Sequence, residues 1–266
     1  MATHFSMGHK MRNQLLKLLN DNRSAPRKFE IRNDANGDAT VYLYDVIAAD
    51  DWWGGISAAS FVQQLASISA PNIHLRINSP GGDVFEARAM AQAIREHASN
   101  IIAHVDGYAA SAATFLAIAC EKVIMAEGSM FMIHRGSCLA WGTGDDLRAT
   151  AELLDKVDAS LVASYAKKTG QSDDDIIAWM DAETWFSADE AVELGFADEL
   201  ATDDMPENSS RWNLSAYANH PKAGQKPAVQ PQSPGPASQP EPPAPQQREV
   251  TDVSALRRRL ELSTYL

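Results

Sequence analysis

From residue 41 onward, short apolar runs alternate with stretches whose apolar positions recur at helical spacing. VYLYDVI (41–47) and HLRIN (74–78) are rich in β-branched and aromatic residues and bounded by turn signals, which predicts strands. Residues 83–98 place Val84, Ala87, Met90, Ala91 and Ile94 on one helical face. A strand over 101–105, a helix over 111–120 and strands over 122–127 and 130–134 follow. A long helix is expected over about 145–168, opened by GTGDD, whose acidic residues suit a helix start. The alternation predicts an α/β fold of stacked βαβ units, in which strand–turn–helix junctions gather the groups that meet a ligand.

The pattern breaks near residue 220. Nine of the 13 prolines fall within 221–245, among Gln, Ala, Ser and Gly. Such a segment buries too little apolar surface to offset its ordering entropy and reads as an extended linker. The folded part is therefore expected to end by about 205–218. One domain is counted over 29–205, preceded by an extension (1–28) and followed by a flexible Pro/Gln-rich linker (206–250). In the last segment (251–266), Val253, Leu256 and Leu260 recur at helical spacing beside Arg257, Arg258 and Arg259. It reads either as a short docking helix or as a loose tail.

Composition narrows the function classes. With 45% hydrophobic and 22% charged residues the chain is globular in type, and its net charge of −12 leaves no broad basic surface for nucleic acid. The most apolar stretch, 109–120, falls far short of the ~20 residues that span a bilayer, and the N-terminus lacks the apolar core of a signal peptide. Cys120 and Cys138 form neither a disulfide framework nor a metal-ligand spacing, so a reducing cytoplasm is the expected setting. No metal, cofactor or membrane is expected.

Three segments carry candidate chemistry. In Asn78-Ser79-Pro80-Gly81-Gly82-Asp83, paired glycines between a strand and a helix let a ligand approach bare amides. Alone, they read as readily as a tight turn. In Gly107-Tyr108-Ala109-Ala110-Ser111-Ala112-Ala113-Thr114, Ser111 stands between a strand and an apolar helix, walled by alanines. That is the physical logic of a nucleophile elbow without its usual spelling, although a serine there also serves as a helix cap. In Met132-Ile133-His134-Arg135-Gly136, a histidine ends an apolar strand, where it is either structural or a base for a serine.

Taken together and in this order, INSPGGDVFEA, GYAASAATFLA and MIHRG resemble the motif blocks of the Clp protease proteolytic subunit family. TGQSDDDIIAWMDAETWFSADEAVELGFADEL resembles its C-terminal part, and the likeness spans about residues 40–200. The resemblance implies a ClpP/crotonase-like fold and a serine endopeptidase working without cofactor. Ser111 would be the nucleophile, His134 the base, and the amides of Gly82 and Ala112 the oxyanion hole. Where the family places its triad Asp this chain has Glu183, and Asp181 is the alternative acid. The resemblance also implies a homo-oligomeric, heptameric ring.

Departures from the family shape the rest. Ala182 replaces an arginine that helps pair two rings, and RGSCLAWGTG lacks the family's proline, so a single ring is expected. Residues 1–28 do not resemble the loop that meets an ATP-driven unfoldase, which leaves an ATPase partner open. The extra terminal segments and ETWF resemble the phage and prophage head maturation proteases. That implies capsid or scaffold proteins as substrates, inside a procapsid in the cytoplasm of an infected cell. The competing expectations are a housekeeping ATP-dependent Clp subunit, a crotonase-type acyl-CoA enzyme, and an inactive ring or scaffold protein.

Overall fold

Alternating burial along short β-branched segments builds a sheet whose parallel strands end at one place. A computed structural model of the chain describes residues 14–49, 54–202 and 212–221. After helix α1 (Gln14–Asp21), strands β1 (Lys28–Asn33) and β2 (Ala39–Tyr44) pair antiparallel. Helix α2 (Ala58–Leu65), strand β3 (Asn72–Ser79), helix α3 (Val84–Glu96) and strand β4 (Asn100–Ala110) follow as stacked βαβ units, with β2, β3 and β4 parallel. Then come α4 (Ala113–Ala117), β5 (Lys122–Met125), β6 (Met130–Ile133), α5 (Gly144–Thr169), α6 (Asp173–Asp181), β7 (Thr184–Ser187), α7 (Ala188–Glu193) and β8 (Glu199–Leu200). The described strands form one sheet in the order β1-β2-β3-β4-β5-β8, with β6 paired to β4 and β7.

β4 is the strand on which the site depends. Its first half pairs with β5 (Ile102 to Lys122 through Val105 to Met125), and its second half with β6 (Tyr108 to Met130 through Ala110 to Met132). The expected strand over 101–105 thus runs five residues further, because Tyr108, Ala109 and Ala110 find a second partner in β6. The expected helix over 111–120 is correspondingly shorter, starting only at Ala113, since Ser111 takes a left-handed backbone.

The apolar face of the helices closes the main core. Phe61, Met90, Ile94, Leu116, Leu161 and Tyr165 pack against Leu75, Ile77, Ala103 and Val105 of the sheet, each large side chain contributing about 1.5–3 kcal/mol on burial. The long helix α5 begins in a capping box between Thr143 and Asp146 and stops at Gly170, whose φ of 73° suits a left-handed cap.

A second core departs from the expected domain boundaries. Leu18 and Leu19 of α1 pack with Met130, Met132 and Trp185 and with Trp212, Leu214, Ala216 and Tyr217. Residues 14–21 and 212–221, assigned from sequence to an extension and a linker, are therefore part of the packed body. Trp212, Leu214 and Tyr217 are only 6%, 5% and 2% exposed. The proline-rich composition that marks the linker begins just beyond these aromatic and aliphatic side chains. The rest of the expected linker (222–250) and the C-terminal helix or tail (251–266) lie outside the described residues.

Candidate active site

Strand pairing brings the candidate residues together. Because β4 and β6 are parallel, with Ala110 opposite Met132, the residues just beyond their C-terminal ends are neighbours. The Ser111 Oγ lies 2.7 Å from His134 Nε2. The turn that presents it is held from both sides. Ser111 N–H donates to the Met132 carbonyl at 2.8 Å, and the Ser111 carbonyl accepts from the Thr114 amide and, at 2.6 Å, from its hydroxyl. The Ser111 φ is +53°, a conformation that costs a non-glycine residue about 1–2 kcal/mol. Strain of this kind at a strand-to-helix turn lifts a side chain clear of its own backbone.

The glycine pair threads through a space with no room for a side chain. A Cβ on Gly81 would lie 2.4 Å from the Ala110 carbonyl oxygen, and one on Gly82 would lie 1.9 Å from that of Ile47. Backbone bonds from Ile47 N to Gly81 O and from Asp83 N to Ile47 O fix the turn, and the Asp83 side chain caps α3. Among the described residues, neither the Gly82 nor the Ala112 N–H donates a hydrogen bond. Both residues line, with Ser111 and His134, a cleft of about 300 Å³ whose walls are Val84, Phe85, Phe115, Leu153, Leu154 and Val157. Two unengaged amides beside a serine hydroxyl are suited to a negative oxygen.

His134 is half-buried at the end of β6. Burial lowers its pKa below the ordinary 6.5, while the negative charges of Glu183 and Asp158 act the other way. The balance favours the neutral imidazole.

The two candidate acids lie elsewhere than a triad requires. The antiparallel pairing of Ile133 with Thr184 puts Glu183 directly across from His134, yet its carboxylate accepts from the backbone N–H groups of Ala218 (2.9 Å) and Asn219 (2.6 Å). Its backbone is left-handed, with φ +48°. Asp181 ends helix α6 and so shares no extended segment with Glu183. It is exposed and ion-paired with Arg135, whose guanidinium lowers its pKa. Among the described residues no carboxylate hydrogen-bonds to His134.

Two residues near the site escaped the sequence reading. Asp158, 5% exposed on α5, accepts from the Gly136 amide at 2.7 Å and from Arg135 at 3.3 Å, fixing the chain just after His134. Its spacing with Leu161, Val162 and Tyr165 places a carboxylate on an apolar helical stripe, a signal available in the sequence. Tyr217 packs edge-on against His134, with ring centroids 5.4 Å apart, and its hydroxyl donates to the Pro80 carbonyl. Its only signal was the run of Trp212, Leu214 and Tyr217 ahead of the prolines.

No group of His, Cys, Asp and Glu side chains among the described residues could hold a metal ion, and no described helix is long and apolar enough to cross a membrane.

The likeness to known proteins follows the same segments. A family model described as Clp protease matches residues 24–204. The chain is 32% identical over 164 residues to the ATP-dependent Clp protease proteolytic subunit 1 of Streptomyces avermitilis, covering 59% of this chain and 76% of that protein. It is likewise 32% identical over 165 residues to the proteolytic subunit of Bacteroides fragilis, covering 61% and 79%. A solved ClpP1 mutant from Listeria monocytogenes superimposes with a TM-score of 0.54 at 25% identity, covering 62% of this chain and 91% of that one. The chain accordingly belongs to the Clp protease family of peptidases.

Proposed function

We propose that this chain is a serine endopeptidase in which Ser111 is the nucleophile and His134 its base. The 2.7 Å contact between Ser111 Oγ and His134 Nε2 carries the reading. With the imidazole proton on Nδ1, Nε2 accepts the Ser111 proton as Oγ forms a bond to the peptide carbonyl carbon. The Gly82 and Ala112 amides face the developing oxyanion. The C–N bond then breaks, His134 returns the proton to the leaving amine, and a water activated by the same imidazole hydrolyses the acyl-enzyme. Glu183 is favoured over Asp181 as the supporting acid, because Asp181 is committed to Arg135 while the Glu183 charge bears on His134.

The working assembly on this reading is a heptameric ring of this chain, and its substrates are capsid and scaffold proteins of a phage prohead. The support for that setting is the likeness of ETWF and the terminal segments to head maturation proteases. It is helped by a chain that extends well beyond the domain shared with its solved relative. An ATP-dependent proteolytic subunit is the competing reading, favoured by the names of the relatives. Degradation that requires a Clp-type ATPase and ATP would select it.

A fluorophosphonate probe, read by intact mass, tests the chemistry. Wild type should gain one adduct, and Ser111→Ala should gain none. His134→Ala should be labelled at least about 10³-fold more slowly. A wild type that stays unlabelled, or a Ser111→Ala chain that reacts, would sink the assignment.

A further inference from the structure

The segment 212–221 borders the candidate site, with Tyr217 in the wall of the cleft, and its hydrogen bonds run to the backbone just ahead of Gly81 and to Ala182 and Glu183. Trp212 Nε1–H donates to the Asn78 carbonyl at 3.0 Å and to its side-chain oxygen at 3.2 Å. The Tyr217 hydroxyl donates to the carbonyl of Pro80, one residue before Gly81. The Tyr217 ring stands edge-on to His134, at an interplanar angle of 79°, and edge-on to Trp185 at 5.7 Å between centroids. Downstream, Glu183 seats the Ala218 and Asn219 amides, and Asn219 Nδ2 donates to the Ala182 carbonyl at 2.6 Å. Upstream, Asn22 on the turn after α1 bonds Asn213 through both its N–H and its carbonyl. A segment fastened at both ends and buried in a core is built to hold its neighbours in place.

We propose, resting on the peptidase reading above, that Tyr217 is a positioning residue of the site. Its ring holds the His134 imidazole toward Ser111, its hydroxyl ties the Pro80 carbonyl ahead of the Gly82 amide, and Glu183 acts through it by seating the 218–219 backbone. An edge-to-face aromatic contact fixes ring orientation and excludes water. That is the service a hydrogen-bonded carboxylate performs for a catalytic histidine elsewhere, and here no carboxylate makes such a bond among the described residues. Burial raises the Tyr217 phenol above its ordinary range, so the group stays neutral and acts on His134 by shielding it, without adding charge. The charged groups that bear on His134 are Glu183, ahead of β7, and Asp158, on α5.

The test compares full-length wild type, Tyr217→Phe and Tyr217→Leu, following the rate of fluorophosphonate labelling at Ser111 from about pH 5 to pH 9. Tyr217→Phe keeps the ring and loses the hydroxyl, and with it both the bond to Pro80 and the interaction with the Ser111 side chain. Its plateau rate should fall about 3- to 10-fold with the acid limb unmoved. Tyr217→Leu admits water to the imidazole, and its acid limb should rise by roughly half a pH unit. Wild-type rates in Tyr217→Phe together with an unmoved limb in Tyr217→Leu would overturn the proposal. So would faster labelling of Tyr217→Leu at every pH, which would make the segment a lid. If Tyr217→Leu fails to fold in a thermal melt, the Tyr217→Phe plateau decides. Modification of His134 by diethyl pyrocarbonate, mapped by peptide mass, reads the same ionisation without catalysis. An unlabelled Ser111 beside a Tyr217-dependent His134 would therefore overturn the peptidase reading and leave the positioning role standing.

Discussion

At the residue scale, the His134 environment has a sign that can be measured. Burial holds its pKa below 6.5, so the labelling rate should drop only as the pH falls through a limb below that value. Asp158→Asn removes one of the two negative charges that favour the imidazolium, and its limb should move to still lower pH. A limb that moved upward would mean that Asp158 acts only by anchoring Gly136 and Arg135. The carboxylates near β7 should separate cleanly in the same assay. Asp181→Ala, which loses an exposed ion pair, should stay within about twofold of wild type. Glu183→Ala, which unseats two backbone amides and removes charge near His134, should fall at least about tenfold. Equal effects would contradict the roles given to them.

At the element scale, the face of the sheet away from the helices carries its own titration. His74 Nδ1 on β3 and His104 Nε2 on β4 are 3.0 Å apart, with Asp38, Arg76, Lys122 and Glu199 around them. Burial, then the neighbouring His74 and Arg76, lower the His104 pKa to about 4. A histidine whose pKa is depressed in the folded state binds its proton more readily when unfolded. Stability is therefore full above about pH 6.5, declines as the pH falls toward 4, and loses at most about 3 kcal/mol to this group. His104→Gln should flatten that part of the profile in denaturant melts at pH 7 and pH 5. An unchanged slope would show that other groups set it. The same pair of strands positions the site, since β4 must run past β5 to reach β6.

For the whole molecule, the surface around the cleft bears on assembly. Leu139 and Leu153 are exposed apolar side chains that line the cleft, and nearby Trp141 is 81% exposed. Apolar surface at the cleft is suited to an extended substrate chain. At Ala182 no charge is offered to a second ring, and Asp181 already holds Arg135. The proposed heptamer predicts a single ring of about 200 kDa, seven chains of 28.9 kDa, by sedimentation. A fourteen-subunit particle would contradict it.

Much of this protein was legible before any coordinates. β-branched and aromatic runs between turn signals, helical spacing and an acidic helix start identified β2, β3, α3, β5, β6 and α5 to within a few residues, because these signals act within single elements. That Ser111 and His134 belong together was implied by the resemblance of their motif blocks to the Clp family, and their side chains lie 2.7 Å apart. Local pattern could not reveal what depends on residues far apart in the chain. Glu183 lies opposite His134 by strand register, but its carboxylate turns to amides of residues 218 and 219, which the sequence assigned to a linker. Tyr217 reaches His134 only because α1 and the segment 212–221 share a second core. Spacing reports which side of its own element a residue faces. Which distant backbone supplies its hydrogen-bond partner is settled by long-range packing.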